Sequence, residues 1–119
     1  MMDAKTTFKT RKELEKHIGQ KVTVVGVYTL IAIPKKKRLP TQKSEETWPA
    51  VLISDGTEIL LESFWFKERE RPKAEQQKLK GKMVLASGTL HSDPPLPIGK
   101  AENIGMYCLS PIDEVKLIK

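Results

Sequence analysis

Gly19-Gln20-Lys21-Val22-Thr23-Val24-Val25-Gly26-Val27-Tyr28 returns in outline sixty-two residues later as Gly81-Lys82-Met83-Val84-Leu85-Ala86-Ser87-Gly88-Thr89-Leu90. Each is an apolar run launched by a glycine and holding a second glycine seven residues further on, and each follows a short polar segment of helical character. Gly19 and Gly81 stand where a helix C-terminus favours a left-handed residue. Gly26 and Gly88 stand where a strand bends sharply or is approached closely by another backbone. Two such strands predict a small, strongly coiled β-barrel.

The elements around them follow from local signals. Thr10 and Glu13 have the spacing of a capping box, predicting a helix over 10–18 with Leu14, His17 and Ile18 on one face. The first strand is expected from Lys21 to about Ile33, ended by Pro34 and able to bend at Gly26. Ala50-Val51-Leu52-Ile53, Ser54-Asp55-Gly56-Thr57 and Glu58-Ile59-Leu60-Leu61-Glu62 read as a hairpin, with Asp-Gly supplying the positive φ angles of its turn. Pro72 suits the first residue of a second helix running to Lys80, and Gly81 closes it. The fourth strand runs from Met83 to Leu90. Asp93-Pro94-Pro95-Leu96-Pro97 is a stiff loop, and Tyr107-Cys108-Leu109 and Val115-Lys116-Leu117-Ile118 are strand segments around a break at Pro111.

With 119 residues the chain forms one domain, 1–119, made of the helix 10–18 and a barrel over 19–118. Lys and Arg outnumber Asp and Glu by 21 to 15, a formal charge of +6 that favours anionic partners. The single cysteine, Cys108, excludes an internal disulfide, and with His17 and His91 it makes no zinc-ligand spacing, so neither metal nor cofactor is expected. A reducing cytoplasm is the expected compartment. Nowhere do about eighteen apolar residues run together, so no membrane association is expected.

A long bent strand, a hairpin, a helix, a strand, a variable loop and a last strand resemble the OB-fold. This is the five-stranded Greek-key barrel, here with an N-terminal helix and a helix between the third and fourth strands. The resemblance covers Gly19 to Ile118. It rests on Gly26, the Asp55-Gly56 hairpin and the helix before Met83, and is to the class and to small bacterial OB-like proteins rather than to one characterised member. It implies a location for a site, not an activity. That location is the face of the second and third strands, flanked by the loop joining the first two strands and the loop joining the last two.

Lys35-Lys36-Lys37-Arg38, with Lys43 after it, puts five positive charges in the first of those loops with no acid between them. Such a run lines a phosphate path or simply keeps a loop solvated. A third reading, a nuclear import signal over Pro34 to Arg38, has no further support in the chain. Trp48 and Trp65 border the face and would stack on bases; strand alternation turns Trp65 opposite to Phe64 and Phe66, and those two are expected to pack in the core. Tyr28 is expected in the core. Glu58 and Glu62 share parity and project outward, and with Glu45 and Glu46 they would repel phosphate.

Two functions follow, both non-catalytic. The first is sequence-independent binding of single-stranded nucleic acid through Lys35, Lys36, Lys37, Arg38, Lys43, Trp48 and Trp65. The second is a protein-interaction module, an adaptor or an immunity-type inhibitor, using Phe64, Trp65 and Phe66, with the Pro94-Pro95-Leu96-Pro97 loop and the mixed-charge run Lys67-Glu68-Arg69-Glu70-Arg71 beside them. The chain would be a monomer or a homodimer. His91-Ser92-Asp93 holds the residue types of a hydrolase triad, but as consecutive neighbours they do not form its relay and read as a polar turn. Cys108, in an apolar stretch, reads as a buried thiol.

Overall fold

The protein is described by a computed structural model covering residues 7–8, 10–32, 47–96 and 105–118. The strands are β1 (Thr7–Phe8), β2 (Lys21–Ala32), β3 (Thr47–Leu52), β4 (Glu58–Leu61), β5 (Met83–His91) and β6 (Tyr107–Leu117), with helices α1 (Arg11–Leu14) and α2 (Lys73–Leu79). Neighbours run β2-β3-β4-β6-β5 and back to β2, which closes a five-stranded barrel, and β1 adds a short parallel strand to β2. The β4–β6 pair is parallel and the other barrel pairs antiparallel. This mixed closed barrel, with a short helix before it and α2 between β4 and β5, is consistent with the OB-like fold.

Closure depends on β2 serving two partners. Its first half pairs with β5 and its second half with β3, and Val27 is opposite both Met83 and Leu52. Gly26 lies just before that crossing, where a Cβ would run into the carbonyl oxygen of Leu52. Gly88 has the matching role in β5, since a Cβ there would stand 2.5 Å from the carbonyl oxygen of Pro111, at the register shift between β5 and β6. Both glycines are therefore required by the approach of another backbone.

Strand alternation fills the interior. Val22, Val24 and Tyr28 of β2, Val51 of β3, Ile59 and Leu61 of β4, Val84, Ala86 and Leu90 of β5 and Tyr107 and Leu109 of β6 form one buried cluster with Ile53, completed by Leu14 and Leu79 from the helices. The Tyr28 hydroxyl donates to Glu75 Oε2 (3.0 Å), and Arg71 grips the same carboxylate through Nε and Nη2 (both 2.9 Å), tying α2 to β2. Burial, and then the Glu75 carboxylate, push the Tyr28 hydroxyl well above the usual phenol range.

Several local expectations shift. Thr10 Oγ1 does accept from Glu13 N (3.4 Å), but α1 spans only Arg11–Leu14 and tightens into a 3₁₀ turn over Glu15–His17. Ile18 is extended and 44 % exposed, because the chain has already joined β5: Gly19 N donates to Leu90 O (2.8 Å) and Leu90 N to Gln20 O (3.0 Å). Pro72 sits one residue before α2 as its N-cap. In the hairpin turn only Gly56 takes a positive φ (91°), while the Asp55 carboxylate accepts from Thr57 N (3.1 Å) and Arg11 N (2.7 Å). The Arg11 amide first, and then the Thr57 hydroxyl and amide, hold the carboxyl below its usual range. Pro111 does not split β6, because it lies in the irregular stretch between the Gly88–Ile112 and Leu90–Leu109 pairs, where no regular ladder position requires its N–H.

Gly26→Ala and Gly88→Ala should each lower the unfolding free energy by about 1–3 kcal/mol through overpacking against backbone, whereas Lys78→Ala at an exposed position of α2 should stay within about 0.5 kcal/mol. Urea midpoints at unchanged m-value are the measurement.

Candidate functional site

β3, β4 and the start of β6, residues 107–110, are buried on both faces. Residues alternating with the barrel core, namely Trp48 and Ala50 of β3, Leu60 of β4 and Cys108 of β6, form a second apolar cluster with Phe64, and Ile31, Trp65 and Met106 pack against it. This cluster lies on the outer side of the strands where the OB resemblance puts a ligand. The face is filled by the chain's own side chains.

Trp48 is the centre of that filling. It is 1 % exposed, its ring meets Phe64 edge-on at 6.5 Å, and its Nε1 donates to the carbonyl oxygens of Glu62 (2.9 Å) and Leu61 (3.1 Å). A ring so enclosed offers no face to a base, which corrects the expectation of Trp48 as a stacking platform. A tryptophan beside a strand end satisfies its indole N–H on the carbonyls that the end leaves over, and the rest of the ring then replaces solvent over the sheet.

Glu62 departs from expectation in the same region. Rather than projecting into solvent beside the exposed Glu58, it is 7 % exposed and takes a φ of 77° where β4 ends. Its Oε1 accepts from Ser110 Oγ (2.7 Å) and its Oε2 from Ile112 N (2.9 Å), with Arg69 Nη1 3.9 Å from Oε1. Its backbone N donates to Leu109 O (2.9 Å). A left-handed non-glycine residue costs on the order of 1–3 kcal/mol and persists where surrounding bonds over-determine it, as these do. The carboxylate thus ties the end of β4 to β6 and does not repel a ligand from the face.

The aromatic end of β4 divides by depth. Phe64 is 5 % exposed but packs in the outer cluster rather than in the barrel core, while Trp65 and Phe66 are both half-buried. Phe66 is therefore not turned fully inward, because the strand ends at Leu61 and its alternation no longer applies. The Phe64 and Trp65 rings lie 5.0 Å apart, and the Arg69 guanidinium sits 5.1 Å over the Phe66 ring. Ser63 Oγ donates to Pro95 O (2.7 Å), which fastens the proline loop beside this segment. Lys35, Lys36, Lys37, Arg38 and Lys43 lie outside the described residues, as do Pro34, Glu45, Glu46 and Pro97.

At the barrel end near α1 a cleft of about 540 Å³ is lined mainly by polar groups, among them Arg11, Asp55, Glu58, Ser92, Asp93 and Tyr107. Asp55 is already bonded to two amides, Asp93 Oδ1 accepts from Gly105 N (2.7 Å), and Arg11 lies 5.3 Å over the Tyr107 ring. His91 Nε2 donates to Ser110 O (2.7 Å). His91 and Asp93 are thus held by backbone contacts of the β5–β6 region. Among the described residues no three His, Cys, Asp or Glu side chains form a metal-ligating group, and no helix is long and apolar enough to cross a membrane.

With this geometry in view, no family model, curated protein or solved structure matches the chain.

The second cluster had a sequence signal. Trp48-Pro49-Ala50-Val51-Leu52-Ile53 and Ile59-Leu60-Leu61 are continuous apolar runs, the pattern of strands covered on both faces rather than one. Glu62 had none, because its burial depends on Ser110 and Ile112, some fifty residues away.

Glu62→Ala should cost about 2–3 kcal/mol of stability by leaving the Ile112 amide and Ser110 hydroxyl without their charged acceptor, while Glu58→Ala should cost under about 0.5 kcal/mol. Denaturant titration of both variants checks this. Burial and the nearby Glu62 carboxylate push the Cys108 thiol well above its ordinary value of about 8.5. The unfolded chain therefore releases this proton at lower pH than the folded one. The thiol's contribution to stability is complete below about pH 8.5 and falls as pH rises beyond it, so Cys108→Ala should flatten the alkaline limb of a stability-versus-pH curve.

Proposed function

We propose that the chain is a non-catalytic binding module that engages a protein partner through the aromatic end of β4, with Trp65 and Phe66 as contacts and Phe64 as their buried anchor. The observation that carries this reading is the filling of the outer face of β3, β4 and the start of β6 by Trp48 and Phe64, which among the described residues leaves half-buried aromatics, Trp65 and Phe66, at its rim. Half-exposed Trp and Phe on a packed base, with Arg69 beside them, are the residue types that concentrate binding energy at protein interfaces. An adaptor or an inhibitor that occludes another protein would use such a surface.

A second reading keeps single-stranded nucleic acid as the partner. It is favoured by the +6 charge and by Lys35, Lys36, Lys37, Arg38 and Lys43, five cations without an intervening acid. Trp65 is the remaining stacking candidate, so contact would be chiefly with phosphates.

One pair of variants separates the readings. Trp65→Ala should abolish capture of a protein partner from a lysate of the source cells, and alanine at Lys35 to Arg38 should retain it. Titration with labelled oligothymidine and oligouridine at low and near-physiological salt should show no tryptophan quenching. A log affinity falling against log salt with a slope of roughly 3.5 in magnitude, flattened by alanine at Lys35 to Arg38, would overturn the protein reading in favour of the second.

A further inference from the structure

β6 is flanked on both sides only along its first residues. Tyr107, Cys108 and Leu109 pair with Ile59, Leu60 and Leu61 of β4, while Leu109 and Cys108 also face Leu90 and His91 of β5. Beyond them β5 continues on one flank, with Ser87 opposite Glu114, Ala86 opposite Val115, Leu85 opposite Lys116 and Val84 opposite Leu117. Among the described residues no strand covers the other flank of 113–117. Among the described residues this flank is an unpaired strand edge, and such edges are templates for pairing with another chain.

The direction of the backbone groups at this edge follows from one bond. Ile118 N donates to Met83 O (3.0 Å), so Met83 and Ile118 form a hydrogen-bonded pair. Alternation along an antiparallel ladder then makes Leu85–Lys116 and Ser87–Glu114 hydrogen-bonded pairs too. The N–H and C=O groups of Val115 and Leu117 consequently face away from β5, into the open edge.

We propose that this edge pairs antiparallel with the same edge of a second copy of the chain, about a two-fold axis at Val115. Val115 opposes Val115 of the copy through two backbone hydrogen bonds, and Leu117, 42 % exposed in the single chain, opposes Asp113 of the copy. Glu114 opposes Lys116 of the copy, and the reverse, at the non-hydrogen-bonded positions where side chains approach most closely. Glu114 and Lys116 are already joined within one chain (Nζ to Oε2 3.4 Å) and are both exposed, so the dimer assembles four alternating charges.

The charges select this register. An axis at Glu114 sets Glu114 against Glu114, and one at Lys116 sets Lys116 against Lys116. An axis at Asp113 brings Pro111, which has no N–H, opposite Val115, and one at Leu117 sets Lys116 against Ile118 rather than against an acid. Of the five registers centred on residues 113–117, the Val115 register alone gives each charge at 114 and 116 an opposite partner. Self-complementarity of this kind is what a two-fold interface demands. The inference does not depend on the partner read from the aromatic end of β4.

The test is the mass of the full chain by sedimentation equilibrium from low to high micromolar concentration. The wild type should approach twice the 13.5 kDa of one chain. Glu114→Lys and Lys116→Glu each place like charges opposite one another twice, and each should weaken the dimer about tenfold or more. Mixing the two variants sets a chain that is positive at both positions 114 and 116 against one that is negative at both. A mixed dimer should therefore form where neither variant dimerises alone. Far-UV circular dichroism checks that both variants fold. A wild-type chain of single mass at every concentration, a dimer that both reversals leave intact, or a mixture that stays monomeric would each overturn the proposal.

Discussion

The crossing of β2 at Val27 is the constraint on which the rest of the barrel depends. One strand must satisfy β5 with its first half and β3 with its second, so two backbones converge on it within a residue. Gly26 makes room for the Leu52 carbonyl, and Gly88 does the same for Pro111 on the neighbouring wall. Because the interior is close-packed, this bend determines which side chains reach the single core. Leu14 and Leu79 then stop its openings from helices whose own ends are set by the strands they feed.

A second layer is built on the outside of the same strands. Trp48, Leu60, Phe64 and Cys108 bury the outer face of β3, β4 and the start of β6, and Glu62 fastens the end of β4 to Ser110 and Ile112. An OB-like barrel with this face occupied has a rim of Trp65 and Phe66 in place of an open groove. Among the described residues the flank of 113–117 away from β5 is unpaired, and Glu114 and Lys116 alternate along it.

Much of the architecture was legible from local chemistry. The repeated glycine spacing marked the two bent strands, Asp55-Gly56 marked the hairpin, and Pro72 with Gly81 bracketed α2 to within a residue. Helix α1 was overread because its capping box specifies a start and not an end, and the end was set by the capture of Gly19 and Gln20 by Leu90. Pro111 was overread as a break because its missing N–H matters only where the ladder requires one. The site was less legible. Trp48 adjoins a basic loop in sequence, yet its neighbours in space, Phe64 and the carbonyls of Leu61 and Glu62, come from the far side of a hairpin.

The sequence by itself determined the elements, their order and the bent, glycine-marked strands, because these follow from periodicity, turn chemistry and φ preference within a few residues. Tertiary structure alone decided which of two outward-facing residue types stayed outside. Parity along β3 and β4 predicts that Trp48, Glu58, Leu60 and Glu62 share a side, but burial there depends on a second layer arriving from elsewhere in the chain. Where Phe64, Ser110 and Ile112 supply that layer, a tryptophan and a carboxylate become internal structure, and where nothing arrives, as at Glu58, the side chain stays in solvent.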